Sequence, residues 1–142
     1  MTPGQFWSIL EKVHRESGSD IDKRFEVLET ALAELSLSEV QSFDAHFTDC
    51  RDRAYTWGLW GAAYVMGGGC SDDKFWDFRS TLITCGRNIF SGEVAVRLGG
   101  DVLDDSKPHP KKPSGKRWDE SNLATLYPRL TKKYKSGDQE MC

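Results

Sequence analysis

The feature that most constrains this chain is how its apolar residues are spaced and punctuated. Stretches with apolar side chains three and four residues apart alternate with short breaks rich in Gly, Ser and Asp. That pattern selects amphipathic helices joined by tight turns. In the first stretch, about Pro3 to Ser17, Phe6, Ile9, Leu10 and Val13 recur at helical spacing; Thr2 suits the N-cap, Pro3 the first helical position and Gly18 the end. The second, about Asp20 to Leu35, carries Ile21, Phe25, Leu28, Leu32 and Leu35 down one side. The third opens with the capping-box pattern Ser36-Leu37-Ser38-Glu39 and continues to about Thr56. Trp57 to Met66 is apolar almost all round, so a helix buried in the middle of a bundle is expected there, stopped by Gly67-Gly68-Gly69. Ser71, followed by Asp72 and Asp73, suits the start of a fifth helix that ends at Gly86, and Asn88 to Leu98 reads as a sixth. Three prolines break the stretch from Asp101 to Gly115, and Trp118 to Tyr134 is helical in propensity with Pro128 dividing it. The expected fold is all-α: a compact bundle of about six or seven short antiparallel helices.

The chain has 142 residues, enough for one core. Residues 1–105 are expected to build that core, and residues 106–142 to form a basic loop and helical tail docked on the same domain. Charge marks the boundary: residues 1–106 hold 10 Lys and Arg against 18 Asp and Glu, whereas residues 107–135 hold nine against two. A basic tail could grip phosphates, but the acidic body would repel the same nucleic acid, so docking on the body is the preferred expectation and nucleic-acid binding is not. No apolar run approaches the roughly 20 residues of a membrane-spanning helix, and no basic segment leads into an apolar stretch at the N-terminus. A soluble cytoplasmic protein without a membrane partner is therefore expected.

Most catalytic chemistries find no foothold. Cys50, Cys70, Cys85 and Cys142 show no CxxC spacing, so no metal site is expected; Cys50 and Cys85 fall on apolar faces, where a thiol behaves as a small hydrophobe. His14, His46 and His109 are isolated. The sequence contains no GxSxG, HExxH or P-loop pattern, and its triple glycine lacks the GxGxxG order of a dinucleotide site, so no cofactor is expected.

One constellation stands out. At 100° per residue, the apolar arc of the third helix (Val40, Phe43, Phe47, Cys50, Ala54, with Tyr55 at its edge) encloses Asp44 and Arg51. The arc of the fifth (Phe75, Trp76, Phe78, Leu82, Ile83, Cys85) encloses Asp72 and Arg79. Each helix thus sets an acid and an arginine two turns apart on a face that should be buried. Buried charges are costly unless paired and hydrogen-bonded, so these four should find each other, a ligand or water; two antiparallel helices could cross-pair them, Asp44 with Arg79 and Asp72 with Arg51. Such a network either fixes helix register or forms a polar pocket walled by Trp60, Tyr64 and Trp76.

The stretch Leu59-Trp60-Gly61-Ala62-Ala63-Tyr64, then Gly67-Gly68-Gly69-Cys70-Ser71-Asp72-Asp73, then Phe75, Phe78-Arg79, Leu82-Ile83 and Gly86 resembles the bacterial family catalogued as domain of unknown function 4240. The resemblance covers roughly residues 3–105, and Ser71-Asp72-Asp73-x-Phe75-x-x-Phe78-Arg79 is its most specific part. It implies a bacterial intracellular protein and carries over no catalytic residues. The leading functional expectation is a binding or accessory module that recognises a protein or small polar ligand through Asp44, Arg51, Trp60, Tyr64, Asp72, Asp73, Trp76 and Arg79. The alternative is a small enzyme using Asp72 or Asp73 as acid or base, with Arg51 or Arg79 holding an anionic substrate.

Overall fold

In the computed structural model of the protein, residues 1–97, 112–115 and 117–134 are described. Six helices occupy the first 97 residues: α1 (Pro3–Ser17), α2 (Ile21–Ala33), α3 (Leu37–Arg53), α4 (Trp57–Gly67), α5 (Asp72–Ile83) and α6 (Arg87–Arg97). A 3₁₀ turn (Glu120–Asn122), α7 (Leu123–Leu126) and α8 (Pro128–Tyr134) follow. The all-α class expected from the spacing is therefore the one observed.

Local chemistry explains the boundaries. Thr2 and Ser36 each accept a hydrogen bond from the backbone N–H three residues on, and Gln5 and Glu39 reach back to complete two capping boxes. Ser71 caps α5 by accepting from the Lys74 amide. The third helix stops three residues short of Thr56, whose hydroxyl instead accepts from the Leu59 amide and caps α4. At the other end of α4, Gly68 adopts φ 66°, ψ 28°, a left-handed C-cap that any side chain would strain.

The core is one cluster in which Phe6, Leu10, Val13, Leu28, Phe43, Leu59, Phe75, Leu82, Ile83 and Phe90 meet from all six of these helices. Burying each such side chain is worth about 2 kcal/mol. The expected stripe of α2 is corrected: its inward face turns toward Arg24 and Leu28, and Phe25 is left 41% exposed. Arg24 is wholly buried where the C-terminal ends of α1 and α5 meet. Its guanidinium donates to the Gly18 carbonyl at 2.6 Å, to Ser17 Oγ at 3.4 Å and to Thr84 Oγ1 at 3.3 Å. A cation is well placed there because carbonyl oxygens accumulate at a helix C-terminus.

The described part of the tail lies on α4. Trp57 N–H donates to the Ser114 carbonyl (2.8 Å) and Ser114 N–H to that of Tyr55 (3.0 Å). Beyond it, the indole of Trp118 donates to the Trp57 carbonyl and Tyr127 hydroxyl to that of Gly58 (2.7 Å). Gly61 makes this approach feasible, since a Cβ there would stand 2.8 Å from the Tyr127 ring and 3.0 Å from that of Trp118. The described contacts of this seam are aromatic rings and hydrogen bonds to backbone carbonyls. Lys112, Arg117, Arg129 and Lys132 are exposed. Lys107, Lys111, Lys116, His109 and Cys142 lie outside the described residues, as do the side chains of Lys133 and Lys135.

Candidate functional site

The four charged residues that the sequence sets on apolar arcs separate into two buried or half-buried arginines and two exposed acids. Arg79 is 2% exposed. Its Nε donates to the Phe75 carbonyl (3.3 Å) and its Nη1 to the Arg51 carbonyl (3.1 Å), which ties α5 to α3. The guanidinium also lies over the rings of Tyr55 (4.2 Å) and Phe75 (4.7 Å). Burial lowers its pKa; Tyr55 and Asp72 oppose that shift, and Arg51 adds to it.

Arg51 is half-buried, and its guanidinium carbon sits 3.7 Å from the centroid of the Trp76 ring, with Phe47 at 5.7 Å. Its Nε is shielded from water and has no hydrogen-bond partner among the described residues. Burial lowers its pKa as well, and Asp52 and Asp44 pull it back up. Trp76 itself is 47% exposed. An arginine over one face of an indole restrains that ring through a cation–π contact while the rest of it stays in water.

Asp44 and Asp72 are both exposed, which corrects the expectation that they are buried. They occupy the edges of their arcs, and a short carboxylate at an edge escapes the desolvation cost by leaning outward. The expected cross-pairs do not form: neither Asp44 with Arg79 nor Asp72 with Arg51 makes an ion pair among the described residues. Asp72 instead accepts from the Tyr55 hydroxyl at 3.2 and 3.3 Å. Desolvation raises the Tyr55 pKa, and Asp72 raises it further by its charge and its hydrogen bond, against a lowering by Arg79. Asp73 is exposed in the first turn of α5.

Trp60 and Tyr64 do not stand beside Trp76. Trp60 is stacked between Trp57 (5.3 Å) and Phe75 (5.2 Å), both at 10°, and donates to the Cys70 carbonyl. Tyr64 faces Trp118 at 5.3 Å; desolvation raises its pKa, with the Glu120 carboxylate adding to the rise. Of the eight residues, then, Asp44, Arg51, Asp72, Trp76 and Arg79 gather at the α3–α5 contact, and Trp60 and Tyr64 belong to the seam with the tail.

The sequence reading missed Arg24, and the missed signal is its position four residues before the buried Leu28, on the same face of α2. It also gave Tyr55 only an edge position, where the structure gives it the Asp72 hydrogen bond. Cys50 and Cys70 are free thiols, and burial pushes the Cys50 thiol up to about 12. Cys85 is disulfide-bonded, not the free thiol expected there. Among the described residues, no three His, Cys, Asp or Glu side chains come together as a metal site, and no helix is long and apolar enough to cross a membrane.

Comparison with known proteins agrees with the residues that carry the resemblance. A family model described as a protein of unknown function, DUF4240, matches residues 1–124, reaching past residue 105 to include Trp118 and its seam with α4. No curated protein and no solved structure matches. The chain belongs to the DUF4240 family.

Proposed function

We propose, with that family membership as the premise, that this domain is a non-catalytic binding module that recognises a protein through the α3–α5 face centred on Trp76. The observation that carries the reading is the half-exposed Trp76 ring held in place by Arg51 at 3.7 Å. Protein interfaces draw most of their affinity from a few Trp, Tyr and Arg residues that are already ordered before the partner arrives. Around this pair the exposed carboxylates of Asp44, Asp72 and Asp73 form an acidic rim. Together with the net negative charge of residues 1–106, that rim favours a partner with a basic surface.

The alternative of an enzyme acting on an anionic substrate has the Tyr55–Asp72 pair in its favour, a hydroxyl and carboxylate beside Arg79. Arg79, however, has almost no surface to offer a substrate, and its Nε and Nη1 are already spent on backbone carbonyls. A bacterial, cytoplasmic setting belongs to the same proposal and rests on the family resemblance.

The test is affinity capture with crosslinking from an extract of cells that make the protein, comparing wild type with Trp76→Ala. A protein crosslinked to the α3–α5 face by wild type and lost with the variant is the expected result. Equal recovery by both would overturn the assignment of the face.

A further inference from the structure

The edge of α5 away from Trp76 carries a second feature, independent of the α3–α5 face. At 100° per residue, Lys74, Asp77 and Thr81 point to the side of α5 opposite Asp72, Trp76 and Arg79. There they line a cleft of about 320 Å³ between α5, the C-terminal end of α4 and the start of α2. Its floor is apolar, built from Ile21, Ala63, Met66 and Phe78. None of the eight residues singled out from the sequence lines it.

We propose that this cleft binds a free α-amino acid with an apolar side chain. The volume lies in the range of small-molecule sites, and the lining has their usual form, an apolar floor with a few polar groups at the rim. Charge selects the ligand. Lys74 and Asp77 carry opposite charges three residues apart on the exposed rim, so their side chains rise from neighbouring positions on one helix face. Neither forms an ion pair with the other or with any described residue. A zwitterion satisfies both at once, its carboxylate toward Lys74 and its ammonium toward Asp77, while its side chain covers Met66 and Phe78. A ligand with only one charge would leave one rim group unanswered. The Thr81 hydroxyl already donates to the Asp77 carbonyl (2.9 Å), so its oxygen faces the cleft as an acceptor only.

Gly67 supplies a control that leaves the fold alone. It lines the cleft within the last turn of α4, its φ is not positive, and a Cβ there would meet nothing within 4 Å. Gly67→Leu should therefore fill the cleft without straining the helix.

The experiment is a titration of ¹⁵N-labelled full-length protein with L-leucine, L-methionine and L-phenylalanine to millimolar concentration, followed by NMR. Isopentylamine and 4-methylpentanoate, each lacking one of leucine's charges, serve as controls. The expected result is saturable shifts at Gly67, Lys74, Asp77 and Thr81 with at least one amino acid. Binding should be weakened about fivefold by Lys74→Met or by Asp77→Asn, and abolished by Gly67→Leu with Tm unchanged. No saturable shift with any of the three, equal binding of either singly charged control, or full binding by Gly67→Leu would each overturn the proposal. None of these outcomes bears on Trp76, so the two readings stand or fall separately.

Discussion

Two tryptophans of this protein each carry an arginine over the ring, and they meet opposite fates. Arg117 lies 5.3 Å from the ring of Trp57, where the tail closes over α4 and Trp118 meets both Trp57 and Trp60 edge-on. Arg51 lies 3.7 Å from the ring of Trp76, and nothing among the described residues closes over it. The same pair of residue types thus serves as an internal seam in one place and as an open surface in the other. Aromatic and arginine content alone does not mark a site. What marks it is whether the chain's own backbone and rings have already taken up the polar groups.

That contrast can be broken by mutation, and the largest effect is expected beneath the open face. Arg79→Ala would leave the Arg51 carbonyl unpaired and a void among Tyr55, Phe75 and Trp76; a loss of about 3 kcal/mol in urea unfolding is expected. A loss under about 1 kcal/mol would mean that Arg79 is free for a ligand after all.

On the closed side, Gly61→Val places methyl groups where Tyr127 and Trp118 now sit. It should cost about 2 kcal/mol and make residues 112–134 rapidly cleavable by protease. Gly67→Leu, in the same helix but over open space, should do neither. Equal effects at the two glycines would show that helix propensity, not the seam, is being measured.

Smaller changes sharpen the picture. Tyr127→Phe removes the hydroxyl that donates to Gly58 and should lower stability by about 1 kcal/mol. Trp76→Ala should cost less than about 1 kcal/mol, because the ring is half in water and loses mainly its contact with Arg51. The pair discriminates a seam from a surface by thermal or urea melts alone.

The smallest effect is on pH dependence. Because the folded-state pKa of Tyr55 is raised, first by desolvation and then by Asp72, the folded protein holds that proton more tightly than the unfolded chain. The stability it contributes is complete below the ordinary tyrosine pKa of about 10 and is lost as pH rises through the higher folded value. Tyr55→Phe should therefore flatten part of the alkaline fall in Tm and leave the profile below pH 9 or so unchanged.

Much of the helical scaffold was legible in the sequence. Thr2, Ser36 and Ser71 cap where their side chains can reach an amide three residues on, and Gly68 ends α4 where a left-handed residue is needed. Those are local effects, written in a few adjacent residues. The candidate site was legible only as a set of residues on two arcs. Wheel arithmetic shows which side chains share a face, but not where burial stops, so it put Asp44 and Asp72 inside when both lean out. It also carried Trp60 and Tyr64 to a pocket wall, when a tail more than fifty residues away claims Tyr64 through Trp118 and Glu120.

The sequence by itself determined the all-α class, most of the caps and the pairing of an acid with an arginine two turns apart on α3 and on α5, because each depends on spacings within one helix. Tertiary structure alone decided that Arg79 bonds to carbonyls rather than to carboxylates, that Arg24 is buried between two helix ends, and that Trp76 stays open while Trp57 is covered. Those outcomes depend on which groups from distant segments lie within reach of a buried donor. That competition is settled in three dimensions, by the cost of leaving any polar group dry and unpaired.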